Sequence, residues 1–187
     1  MRIILLGAPG SGKGTQGKVL AEHFGVRHVA SGELLRAHIA EGTELGREAQ
    51  GYVERGELVP DDLVLQMVGG AVVDATQAGG YILDGFPRTI EQAERAYELA
   101  APADVTANAA VFLAVPDEIV RDRMLRRAEG RADDADPEII ERRLRVFHEQ
   151  TEPLLDFYRN RGILVTVDAA QPPDEVTRAM LAAVDDS

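Results

Sequence analysis

The chain has 187 residues, 45% of them hydrophobic, with 32 acidic against 20 basic side chains, a net charge of -12 and no cysteine. One good-sized core burying roughly 70% of the unfolded surface is within reach, so one main domain with small excursions is expected. The charge speaks against a nucleic-acid backbone or an anionic membrane as partner, and the lack of cysteine excludes disulfides and thiolate zinc sites and fits a cytoplasmic location.

Residues 3–6 form the only apolar run near the N-terminus, too short for a signal peptide, and no stretch approaches the ~20 apolar residues that span a bilayer. Residues 2–7 instead match a strand buried on both faces of a parallel sheet. The run GAPGSGKGT follows, fitting G-x-x-x-x-G-K with Gly7, Gly12 and Lys13. Glycines let the backbone curl so that successive N–H groups converge on an anion, and a helix opening at Lys13 adds its positive end. The expected phosphate cradle is Gly10, Ser11, Gly12, Lys13, Gly14 and Thr15. Gly14 stands where the general pattern has a magnesium-binding hydroxyl, so Thr15 and acidic residues from elsewhere are expected to share that work. Of the 20 basic residues only Lys13 and Lys18 are lysines, and a compact, rotatable ammonium suits a phosphate at this place.

The first helix is expected over residues 13–24, stopped by Gly25, with a short second strand at residues 27–30. Ser31 is an N-cap candidate for a helix through residue 40, and Thr43 for another ending near Gly56. Pro60 and Asp61 start a helix to about Gln77; Gly79 and Gly80 introduce a third strand, residues 81–84. GFPR turns the chain before a helix capped by Thr89. Residues 109–115 form strand four, and Pro116 suits the first turn of a helix carrying Arg123, Arg126 and Arg127. After an irregular polar stretch, residues 129–136, a long helix runs from Asp136 and Pro137 to about Arg161 with a break near Pro153. Residues 163–167 form strand five, and residues 172–184 a closing helix. The alternation implies an α/β fold, a parallel sheet with helices on both faces and right-handed crossovers. Ligands on such sheets sit beyond the C-terminal strand ends, here after strands one, three and five.

Strand three ends in DGFPR, which puts Asp84 beside the phosphate loop, where a carboxylate holds magnesium directly or through water; a helix-capping or loop aspartate is the plainer alternative. Arg88 offers a planar fork for a second phosphate group, or else a solvated surface charge.

GAPGSGKGTQ, SGELLR, DGFPRTIEQ and RADD stand in the order and spacing of the adenylate kinase family, and the chain resembles that family over nearly its whole length. The resemblance implies a P-loop NTPase-type, five-stranded core built from residues 1–30, 60–125 and 139–187, a helical monophosphate-binding flap at residues 31–59, and a short lid at residues 126–138. It implies phosphoryl transfer between MgATP and AMP giving two ADP, in a monomer. By the same resemblance Ser31, Arg36, Glu57, Leu58, Val59, Gly85, Phe86, Pro87, Arg88, Gln92, Arg131 and Arg143 hold AMP. Arg123, Arg127 and Gln171 join the loop on the ATP side, and Lys13, Arg88, Arg123, Arg131 and Arg143 serve the transferring group. Asp84 orients magnesium, and the lid acids Asp133 and Asp134 face those arginines. No zinc is expected, because the metal knot of some longer lids is built on cysteine. The four histidines are given none of the chemistry.

Two residues leave a choice open. Ser31 fits both a capping role and the family's substrate-binding hydroxyl. Gln92 fits both the adenine reader, whose amide supplies one donor and one acceptor, and the last member of a capping box begun at Thr89. A UMP/CMP kinase is the nearest alternative, disfavoured because that group has Ala and Asn where Ser31 and Gln92 stand. A GTP-hydrolysing switch is disfavoured by the absence of N-K-x-D, and a non-catalytic module by the complete cationic set.

Overall fold

Apolar alternation along β1 (Arg2–Leu6) assigns its residues to two faces: Ile3 and Leu5 pack in one core cluster, Ile4 and Leu6 in another on the opposite side. The structure is a computed structural model that describes residues 1–103, 105–127 and 136–185. Four further strands, β2 (Arg27–Ala30), β3 (Tyr81–Asp84), β4 (Ala109–Ala114) and β5 (Leu164–Asp168), join β1 in a parallel sheet ordered β2-β3-β1-β4-β5.

Register places the functional loops side by side. Leu5 pairs with Asp84 and Ala30 also pairs with Asp84, so the segments leaving β1, β2 and β3 emerge together at one sheet edge. The helices around the sheet are α1 (Lys13–Phe24), α2 (Ser31–Glu41), α3 (Glu44–Glu54), α4 (Asp61–Gln77), α5 (Ile90–Ala100), α6 (Asp117–Arg127), α7 (Pro137–Val146), α8 (Leu154–Arg159) and α9 (Pro173–Asp185). One face of the sheet buries Leu20, Val176 and Met180 from α1 and α9; the other buries Val68, Ala75, Leu154 and Tyr158 from α4 and α8. A third cluster, Val120, Met124, Ile140, Leu144 and Phe147, joins α6 to α7, and a fourth, Ala49, Val59 and Met67, lies under α3. At ~25 cal/mol per Å² of apolar surface, each fully buried Leu or Met contributes about 2 kcal/mol.

Local signals set most boundaries. Gly25 adopts φ 63° and closes α1, and Thr43 and Thr89 cap α3 and α5 by accepting from the N–H groups of Gly46 and Gln92. Three expectations need correction. Ser31 does not cap α2: it is the first helical residue, Ala30 holds the cap position, and the hydroxyl is engaged elsewhere. Pro116 lies one residue ahead of α6, which begins at Asp117. The long helix breaks earlier than Pro153, because residues Phe147–Thr151 form a π-helical turn between α7 and α8. Pro153 lacks an N–H and its ring displaces the carbonyl four residues back; the preceding turn widens, with Glu152 N–H donating to the Phe147 carbonyl at 2.8 Å.

Candidate active site

The turn after β1 has the backbone that its glycines permit. Gly10 and Gly12 have φ of 86° and 101°, and a side chain at Gly10 would collide with Met124 of α6. This close packing fixes the loop on α6 while α1 begins at Lys13. The Lys13 ammonium donates to the carbonyls of Gly7 and Ala8 at 2.7 and 2.9 Å. Behind the loop, Gln16 ties α1 to α9, donating to the Pro173 carbonyl and accepting from the Thr177 hydroxyl.

At the end of β3, Asp84 faces this loop. A Cβ on Gly14 would stand 3.6 Å from Asp84 Oδ2, so the carboxylate occupies the neighbourhood that a hydroxyl at position 14 would otherwise serve. Burial pushes the Asp84 carboxyl up, but His28, Lys13 and Arg88 outweigh it and hold the group below the usual carboxylate range. His28 Nε2 is 3.7 Å from Asp84 Oδ2. Sequence reasoning passed over His28. Its signal is weak: a histidine on a short buried strand opposite Gly17, whose missing side chain leaves the room the ring occupies.

The DGFPR turn is fixed at several points. Gly85 has φ 78°, and the Phe86–Pro87 peptide is cis. The Gly85 carbonyl accepts from the Ser31 hydroxyl and from Arg88 Nε, each at 2.7 Å. The Arg88 N–H donates to Gln92 Oε1 at 2.7 Å, and its carbonyl accepts from the Thr151 hydroxyl at 2.8 Å. Arg88 is thus anchored through its N–H, its carbonyl and the root of its guanidinium. Burial, Arg143 and Arg36 push its pKa down, with Asp84 opposing. Guanidiniums stay charged in proteins, so Arg88 is a buried cation with two other cations, Arg143 and Arg36, close enough to act on it.

Lys13, Arg36, Arg88 and Arg143 line one cavity of about 590 Å³. Its wall includes Gly10, Gly12, Gly14 and Thr15 on the loop side. Ser31, Glu57, Leu58 and Val59 close the flap side, and Asp84, Gly85, Pro87 and Gln92 the β3 side. Val64, Met67 and Val68 of α4 add an apolar floor to the cavity, suited to the face of a planar base. Glu57 N–H is held by the Tyr52 carbonyl, and its carboxylate pairs with Arg55, which keeps it below the usual range.

Other predicted residues lie apart from that wall. Phe86 is 4% exposed and packs in the core behind the turn, so its side chain supports the site from within. Ser11 is buried, with no hydrogen-bond partner for its hydroxyl among the described residues. Arg123 extends from α6 to the Ala169 carbonyl at 3.0 Å, beyond β5, and the exposed Gln171 donates to Asp168 nearby at 2.9 Å. Arg131, Asp133 and Asp134 lie outside the described residues, as does the side chain of Arg127. The capping reading of Gln92 is half right. Its N–H is bound by Thr89, but its amide oxygen accepts from Arg88 N–H rather than from the cap residue. Thr151, which sequence reasoning also missed, gave no local signal, since its partner is 63 residues away.

The family model described as adenylate kinase matches residues 5–163. An adenylate kinase of Nocardia farcinica is 45% identical over 184 residues, covering 98% of this chain and 99% of the relative. One of Stenotrophomonas maltophilia is 45% identical over 186 residues, with the same coverage, and one of Thermobifida fusca is 44% identical over 185 residues, with 97% of each covered. With the phosphate loop, the DGFPR turn and the arginines gathered on one cavity, these matches along nearly the full length mean that the chain belongs to the adenylate kinase family.

Proposed function

We propose that this chain transfers the terminal phosphoryl group of ATP to AMP, giving two ADP, and runs the reaction in both directions. The observation that carries this reading is the convergence of Lys13, Arg36, Arg88 and Arg143 on one cavity of a protein whose net charge is -12. Such a cluster suits a ligand with several anionic groups. The apolar floor beside Gln92 supports a base at the AMP end, and the glycine loop supports a polyphosphate at the other.

Phosphoryl transfer needs little covalent help from protein; positioning and charge stabilisation dominate. An AMP phosphate oxygen attacks the terminal phosphorus of ATP in line, the bond to the ADP oxygen breaks, and ADP leaves on the far side. Lys13 follows the migrating group, Arg88 and Arg143 hold the acceptor phosphate and cradle the migrating group with Arg123, and Arg36 and Ser31 fix AMP from the flap. Arg123, Arg127 and Gln171 serve the ATP end and Arg131 the transferring group, roles drawn from the family resemblance.

Magnesium, the metal carried with ATP, neutralises charge on the phosphate oxygens when bound. Asp84 fits the task of holding it, being kept ionised and set against Gly14. No group of three or more metal-ligating side chains occurs among the described residues, which suits a hydrated ion shared with substrate phosphates. By the family resemblance, residues 31–59 and 126–138, of which 128–135 lie outside the described residues, serve as two flaps whose closure excludes water from the reacting phosphoryl. We read the enzyme as a cytoplasmic monomer with no nucleic-acid or membrane partner, in keeping with its charge; among the described residues no helix is long and apolar enough to cross a membrane.

The test is MgADP supplied alone. Equal amounts of ATP and AMP should appear, approaching the same equilibrium as from ATP plus AMP. Release of inorganic phosphate with AMP, in place of ATP, would refute the reading.

A further inference from the structure

The Gln92 side chain is 1% exposed yet forms part of the cavity wall, and both ends of its amide are engaged. Its oxygen accepts from the Arg88 N–H at 2.7 Å, and its nitrogen donates to Asp61 Oδ1 at 2.6 Å. These partners leave no freedom of assignment. A backbone N–H only donates and a carboxylate only accepts, so a half-turn of the amide would set N–H against N–H and oxygen against carboxylate.

We propose that Asp61 is a specificity-determining positioning residue: it locks the polarity of the Gln92 amide so that the site accepts a 6-amino purine monophosphate and rejects a 6-oxo one. This rests on the reading of Gln92 as the group that meets the base. Adenine offers a donor at its 6-position and guanine or hypoxanthine an acceptor there, so an amide free to turn over would accommodate both classes. A fixed amide cannot.

Placement favours the role. Asp61 opens α4, where the helix N-terminus favours a negative charge, and the same helix supplies Val64, Met67 and Val68 to the cavity. The helix that forms the apolar floor therefore also carries the residue that orients the reader on α5. A second tie between these helices, Arg95 to Asp62 at 2.7 Å, does not involve Asp61.

The experiment compares AMP with IMP, whose hypoxanthine has a 6-oxo group, at saturating MgATP for wild type, Asp61→Ala and Asp61→Asn, with melting curves to establish folding. Asp61→Ala should narrow the AMP-over-IMP ratio of kcat/KM at least about tenfold, the change falling on KM for the monophosphate rather than on kcat. Asp61→Asn, which still offers an oxygen but can itself turn over, should fall between Ala and wild type. Equal losses for AMP and IMP in both variants would mean a merely structural role and overturn the proposal. A wild type with no preference for AMP would overturn the reading of Gln92 itself.

Discussion

The Ser31 hydroxyl donates to the carbonyl oxygen of Gly85 at 2.7 Å, joining α2 of the flap to the turn that carries Arg88. The contact leaves no room for a side chain at Gly85, whose Cβ would lie 2.6 Å from Ser31 Oγ at a backbone φ of 78°. Gly85→Ala should therefore lower stability by about 1–3 kcal/mol and raise KM for AMP. Ser31→Ala should cost less, about 1 kcal/mol, because the carbonyl keeps its bond from Arg88 Nε. Denaturant melts of both variants check the order.

Arg88→Ala should lower turnover at least about a hundredfold, since a charge placed on a transferring phosphoryl contributes ~10³ to 10⁵ in rate. The backbone anchors from Gln92 and Thr151 do not depend on the guanidinium. The melting temperature should accordingly stay close to wild type. Near-normal turnover would remove Arg88 from the mechanism.

Asp84→Asn keeps the shape of the side chain and removes its charge. Magnesium titrations at fixed ATP and AMP should show the half-maximal concentration rising, or maximal turnover falling, by about 10- to 100-fold. An unchanged titration would show that the metal depends on substrate phosphates alone.

His148 bridges two elements, its Nδ1 to Glu152 at 2.9 Å and its Nε2 to Asp117 of α6 at 3.1 Å. The bond to Glu152 raises its pKa, burial opposes, and Asp117 adds to the rise. Arg121 stands 3.7 Å from the same Asp117. A pKa raised on folding gives stabilisation that is complete below the unfolded value of roughly 6.5 and is lost as pH rises through the folded value. Wild type should therefore melt above His148→Gln by a margin that is greatest near about pH 5.5 and shrinks with rising pH. The margin should be modest, because the ring is partly exposed. A margin independent of pH would contradict the assignment.

Much of this site was legible in the chain because its signals are local. The glycine loop, the caps at Thr43 and Thr89 and the stop at Gly25 are each decided by a few adjacent residues, and the structure has them where the sequence put them. The partners of Ser31, Gln92 and Thr151 were not legible, since the bonds cross 54, 31 and 63 residues. Capping patterns competed for the first two, and both side chains were drawn into tertiary bonds instead. The π-helical turn escaped for a similar reason: Pro153 signals a break but does not say how far back the helix must widen to absorb it.

The reaction is an adenine-selective transfer to a nucleoside monophosphate. Product formation from MgATP with AMP, CMP, UMP or GMP offered separately, beside a control without acceptor, tests it most directly. Rapid ADP formation with AMP alone is the predicted result. Preference for UMP or CMP, or phosphate release that needs no acceptor, would contradict it.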